Sequence, residues 1–231
     1  MTLNADQPTV VLTGASAGIG LATLEALVEN AFVIAVSRTP PQVNHPNCLW
    51  LRGDLQCSEQ IAAAISDELQ VSDRSLDGII HCAGSYGSSE RHSLADTPPS
   101  EWDELIAVNV RCQFVLTVRL LPFLLRRPRA FIVGISSDAA ILPAPGRVAY
   151  GCSKAASHAM FAGLAAELDL STVSVIELTP AGQVVTRGIR RRRPPDHDFT
   201  GYSAPQIFQA PMQWIVLTRG EGMNGMHLIV S

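Results

Sequence analysis

Short unbroken apolar runs punctuate this chain, and stretches of helical periodicity separate them. Seven runs read as strands: TVVLTG (9–14), AFVIAVS (31–37), CLWLRGD (48–54), LDGIIHCAG (76–84), AFIVGISS (130–137), VSVIELTP (173–180) and MHLIV (226–230). Most are rich in valine and isoleucine and lack strict alternation, as strands covered on both faces do. Helical patterns occupy 18–29, 58–70, 101–127, 149–168 and 204–218. The β-α-β-α order predicts an α/β fold: a single doubly wound parallel sheet with helices on both faces and right-handed crossovers. No linker interrupts it, so the 231 residues are expected to form one domain. One segment breaks the rhythm. TRGIRRRRPPDHDFTGYSAP (186–205) is polar, contains prolines and starts strongly basic; it reads as a mobile loop inserted beside a substrate site.

The first turn adds chemistry to the pattern. TGASAGIG, Thr13 to Gly20, follows the first strand and opens the first helix. Gly14, Gly18 and Gly20 permit a tight turn and close backbone approach, and the helix N-terminus offers free N–H groups to a pyrophosphate. Ser16 and Ile19 belong to the same turn, so this is a candidate dinucleotide site on a Rossmann fold. The second strand ends AVSRT. A chain built for NAD places a carboxylate there for the ribose 2′-hydroxyl, whereas Ser37 and Arg38 suit a 2′-phosphate. NADPH/NADP+ is the expected cofactor.

Composition narrows the class. Hydrophobic residues make up 47% and charged residues 16%, with a formal net charge of −4. That describes a core-rich globular chain and argues against a nucleic-acid partner. The N-terminus lacks a basic stretch followed by an apolar one, and no run of about eighteen apolar residues occurs, so neither a secretory signal nor a membrane span is expected. Five scattered cysteines without a CxxC pair suit reduced thiols and a cytoplasmic location. Among 17 basic residues only Lys154 is a lysine, and it stands four residues after Tyr150 in YGCSK. That spacing puts both on one helix face. A nearby ammonium stabilises a phenolate and draws the tyrosine pKa down.

With these pieces the chain resembles a short-chain dehydrogenase/reductase. The resemblance rests on TGASAGIG, GDL (53–55), CAG (82–84), VNV (108–110), ISS (135–137) and YGCSK (150–154), with Ser137 thirteen residues before Tyr150. It implies a catalytic set of Asn109, Ser137, Tyr150 and Lys154. Tyr150 donates the proton, Ser137 holds the carbonyl oxygen (Ser136 competes for this role), Lys154 binds the nicotinamide ribose, and Asn109 holds a relay water. It further implies cofactor contacts at Asp54, Leu55, Ala83, Gly84, Pro180, Gly182, Val184 and Thr186, beside Tyr150 and Lys154 themselves. The family's usual Asn-Asn-Ala-Gly is HCAG here, with His81 and Cys82 in place of the asparagines. No further ligand cluster is visible, so no metal is expected.

The expected activity is reduction of a ketone to a secondary alcohol. The alternatives are an NADP-binding regulator or scaffold that lost the chemistry, and an alcohol dehydrogenase working in the oxidative direction. Tyr86, Ala139, Leu142 and Val148 are expected to line the substrate pocket, which suits a free ketone or a carrier-bound acyl group. Two basic clusters, Arg126/Arg127/Arg129 and Arg187/Arg190–Arg193, read either as solvated charge or as sites for an anionic partner. A homodimer is expected, and a tetramer is possible.

Overall fold

The computed structural model describes residues 7–88, 92–142, 144–168 and 172–231. Strands β1 (Thr9–Thr13), β2 (Phe32–Ser37), β3 (Cys48–Arg52), β4 (Gly78–His81), β5 (Ala130–Ile135), β6 (Val173–Pro180) and β7 (His227–Val230) alternate with helices, except that β3 follows β2 without one. The helices are α1 (Gly18–Leu27), α2 (Ser58–Val71), α3 (Pro99–Ile106), α4 (Cys112–Leu124), α5 (Val148–Glu167), α6 (Arg187–Arg190) and α7 (Gln209–Thr218). The strands form one parallel sheet in the order β3-β2-β1-β4-β5-β6-β7. Strand order reverses between β1 and β4, and a crevice opens there at the carboxyl ends of the strands.

The unbroken apolar strands follow from two cores. In β1, Val10 and Leu12 pack on one face with Leu24 and Leu27 of α1 and Met212 and Ile215 of α7. Val11 packs on the other with Ile61 and Ile65 of α2 and Leu116 and Leu120 of α4. Because both faces are covered, alternation disappears. Each large aliphatic side chain so buried contributes roughly 1.5–3 kcal/mol.

Three elements differ from the sequence expectation. The helix expected over 101–127 is α3 and α4 joined by a π-helical turn, Ala107–Arg111, which carries Asn109. Such one-turn widenings re-aim a side chain inside a helix. The joined helix, Pro99–Leu124, does reach the length and mean hydropathy (1.4) of a membrane span; its buried side, including Cys112, Leu116, Leu120 and Leu124, is used by the core. The helix expected over 204–218 starts as a 3-10 turn, Pro205–Phe208. Within 186–205 the chain is not a bare loop. Thr186 caps α6 by accepting the Ile189 N–H at 3.2 Å, Phe199 and Tyr202 pack edge to face, and Ser203 bridges back to Val184.

Candidate active site

A cleft of about 970 Å³ runs along the carboxyl ends of the strands, from Arg38 beyond β2 to Tyr150 on α5. At its centre the chain leaves β1 through Gly14 (φ +74°), where a Cβ would stand 2.8 Å from the Ala83 backbone. At Gly20 a Cβ would stand 2.2 Å from the Gly14 carbonyl oxygen. Only glycine fits both places. No side chain caps α1, so the N–H groups of its first turn, with Ser16, Gly18 and Ile19, face the cleft.

Towards β2, Ser37 is buried and donates to the Thr39 carbonyl at 2.7 Å. Arg38 is exposed at the rim. Asp54 accepts the Gln56 N–H at 3.1 Å, which shapes the turn that presents Leu55. Ala83 and Gly84 line the opposite wall, and Pro180, Gly182, Val184 and Thr186 border the inner end. The structure thus brings all the expected cofactor residues to one cleft. A side-chain-free glycine cradle, an uncapped helix start and a rim arginine suit a phosphorylated dinucleotide.

At the inner end, α5 turns one face into the protein: Tyr150, Ser153, Lys154, Ser157 and Phe161. Lys154 donates to the Ile135 carbonyl at 2.9 Å. Burial lowers its pKa to about 8, against the pull of Glu177 and Cys82. Tyr150 is also buried. Burial pushes its hydroxyl well above the usual tyrosine value and Tyr86 adds to this, whereas a hydrogen bond with Ser137 and the charges of Arg192 and Arg147 draw it back. The nearby cations acting on Tyr150 are therefore these two arginines. Ser137 also donates to Asp138 Oδ1 at 2.9 Å. The Tyr150 contact distinguishes Ser137 from Ser136, which is buried beside it.

Asn109 is fully buried. Its Oδ1 accepts the Ser85 N–H at 2.7 Å, and its Nδ2 donates to the Ser85 carbonyl at 2.8 Å and to Ser153 Oγ at 2.9 Å. Ser153 donates in turn to the Tyr150 carbonyl at 2.7 Å. The asparagine therefore ties the loop after β4 to the catalytic helix. In HCAG, His81 is fully buried and shares a 3.1 Å hydrogen bond with Thr117; burial lowers its pKa to about 3, so it stays neutral. Burial pushes the Cys82 thiol up to about 12. His81 is a core residue, whereas Cys82 is partly buried, packs against the core and borders the cleft.

The expected substrate lining separates. Tyr86 stacks on Tyr150 with centroids 5.0 Å apart at 24°, and Val148 borders the same pocket. Ala139 does not line it: the residue is buried and packs with Leu105, Ala149 and Tyr150. Leu142 is corrected too, since it is 65% exposed and lies outside the lining. The 3-10 turn at Asp138–Ala140 carries the chain away after Ser137. Ile189 and Arg192 come from the segment 186–205 that the sequence placed beside the substrate site, whereas Arg147, His92 and Glu101 were missed by the sequence reading. Arg147 stands only three residues before Tyr150, and that proximity was the available signal. A cluster of potential metal ligands, His158, Glu177 and His227, was also missed; their ligand atoms lie within 4.8 Å of one another. They are engaged already: His158 Nδ1 with Glu177 Oε2 at 2.5 Å, and His227 Nε2 with Thr179 Oγ1 at 2.6 Å.

Comparison with known proteins follows the same residues. A family model described as short chain dehydrogenase matches residues 8–195. An uncharacterized oxidoreductase of Escherichia coli K12, YbbO, is 33% identical over 187 residues, covering 78% of this chain and 67% of the relative. An uncharacterized oxidoreductase of Schizosaccharomyces pombe is 36% identical over 174 residues, covering 72% and 68%. Among solved structures, a short chain dehydrogenase from Shigella flexneri complexed with NADP superposes with a TM-score of 0.82 at 25% identity, covering 98% of this chain and 99% of the other.

Proposed function

The chain belongs to the short-chain dehydrogenase family, and from that premise we propose that it reduces a ketone to a secondary alcohol with NADPH. The observation that carries this reading is the convergence of Ser137, Tyr150 and Lys154 at the inner end of the cleft. Bound NADPH would supply hydride to the carbonyl carbon. Ser137 and Tyr150 hold the carbonyl oxygen, and Tyr150 gives it the proton. Lys154, buried behind them, binds the nicotinamide ribose; the tyrosinate left behind is stabilised by Arg147 and Arg192, not by Lys154 as the four-residue spacing predicts. Asn109, its side-chain amide engaged by Ser85 and Ser153, ties the loop after β4 to α5 and so helps to hold Tyr150 in place.

Arg38 supports NADPH over NADH, because an exposed guanidinium at the rim can pair bidentately with a 2′-phosphate. Oxidoreductase chemistry and an NAD(P) cofactor are properties of the family; the direction, the ketone and the NADPH preference are inferred here. We further infer a cytoplasmic homodimer. The five free cysteines and the exposed apolar side chains Phe114, Val118 and Leu125 along and just past α4 support it.

The test is NADPH consumption against ketones, diketones and acyl thioesters, with NADH in parallel. Turnover with a lower KM for NADPH is expected. NADPH binding without turnover of any carbonyl would favour the regulator, and a preference for NADH would remove the role of Arg38.

A further inference from the structure

The pocket in front of Tyr150 carries more positive charge than a neutral ketone needs. Resting on the reductase reading above, we propose that the substrate is an anionic ketone, a keto acid whose carboxylate is held by Arg147 and Arg192.

Both arginines line the pocket that Tyr150 faces. Among the described residues neither forms an ion pair, while Arg119, Arg127, Arg129 and Arg219 each have a carboxylate partner. Unpaired arginines are common among the described residues, but these two are half-buried in the lining of the pocket that Tyr150 faces. A partly buried guanidinium without a counter-ion bears a desolvation cost that an anionic ligand would offset. Burial accordingly lowers the Arg192 pKa.

Its geometry is set for a carboxylate. The guanidinium carbon of Arg192 lies 4.0 Å over the Tyr86 ring centroid, and Tyr86 lies in turn on Tyr150. Nε donates to the Gly188 carbonyl at 3.1 Å. The ring contact and the Nε bond together hold the guanidinium, and they leave its two terminal nitrogens to bind a carboxylate. One aromatic ring separates those nitrogens from the proton donor, so anion and carbonyl belong to one small molecule. Among the described lining residues one carboxylate faces three guanidiniums, so the balance stays positive. Glu101 is the carboxylate in the lining, and Arg193 beside it donates to the Tyr202 hydroxyl at 3.2 Å. Asp138 is held by Ser137 and the Ala139 N–H.

The experiment uses matched pairs, levulinate against methyl levulinate and acetoacetate against methyl acetoacetate, with wild type, Arg147→Leu and Arg192→Leu. Glutarate binding to the NADP+-loaded enzyme is measured by calorimetry in parallel. An acid-to-ester ratio in kcat/KM of about ten- to a hundredfold is expected, as a charged hydrogen-bonded pair would give. That ratio should fall about tenfold in each variant, and glutarate should bind wild type and weaken by a similar factor in the variants. Equal turnover of acid and ester by wild type overturns the proposal and leaves the reductase reading standing. Glutarate binding that depends on Arg192, with no carbonyl reduced, supports the anion site and sinks the reductase reading instead. Loss of NADPH affinity in Arg192→Leu, with the acid-to-ester ratio unchanged, makes Arg192 a cofactor residue and also overturns the proposal. Unchanged melting temperatures show that the variants fold.

Discussion

The two edges of the sheet treat arginine in opposite ways. At the amino ends of the strands, Asp77 is almost fully buried and accepts the Thr9 N–H at 2.9 Å, Arg127 at 2.9 Å and Arg219 at 2.9 Å. One carboxylate thereby ties the start of β1 to the turns that follow α4 and α7. At the carboxyl ends, Arg147 and Arg192 line the pocket that Tyr150 faces, and among the described residues neither has a carboxylate partner. The same residue type closes the fold at one edge and stays available at the other. Charge count along the chain does not separate the two cases; pairing does.

The comparison breaks most visibly at the open edge. Tyr150→Phe keeps the ring that stacks on Tyr86 and removes only the hydroxyl. Turnover should fall by about 10²–10⁴, the usual worth of a positioned proton donor. NADPH affinity and melting temperature should stay near wild type. Near-normal turnover would show that the hydroxyl is not the donor.

At the closed edge the loss should appear as stability. Asp77→Ala strands two half-buried guanidiniums and the Thr9 N–H, so it should cost about 3–5 kcal/mol in urea unfolding. Arg192→Leu, measured the same way, should stay within about 0.5 kcal/mol. Equal losses would mean that Arg192 is as structural as Arg127.

Lys154, at the open edge, is a buried charge kept for function. Its folded pKa of about 8 lies below the ordinary 10.5. Between these values the unfolded chain binds a proton that the folded chain has released. Stability therefore rises with pH across that window, and the full cost of burying the ammonium is present below pH 8. Relative to Lys154→Met, wild type should gain stability between pH 8 and 10.5 and show a flat difference below pH 7. A flat difference across the whole range would show that the ammonium is not strained by burial.

The fold was legible because valine- and isoleucine-rich runs such as TVVLT have few other uses. The cofactor cleft was legible because Gly14 and Gly20 answer local backbone demands, and the Tyr150–Lys154 pair because four-residue spacing is local. Other features required the third dimension. Arg192 meets Tyr86 from over a hundred residues away in the chain, and the Asp77 clamp joins residues 50 and 142 positions apart. Leu142 was misplaced because a tight turn after Ser137 redirects the chain, and apolar character alone does not report direction. The run Arg126/Arg127/Arg129 read as one cluster. The structure divides it among Asp77, Glu221 and a phenylalanine ring.

That last division gives the smallest and sharpest contrast. Arg126 lies 5.1 Å over the Phe123 ring and Arg127 reaches Asp77, although they are neighbours in sequence. An exposed cation over a ring is worth about 0.5–1 kcal/mol, so Arg126→Ala should shift stability by no more than that. Arg127→Ala leaves Asp77 with Arg219 and the Thr9 N–H alone, so it should cost several times as much. Salt separates them further: screening weakens the exposed contact at Arg126 and leaves the buried pair largely intact. If both variants lose the same amount, and lose it equally at low and high salt, the closed edge is not held by Asp77, and the contrast between the two edges fails with it.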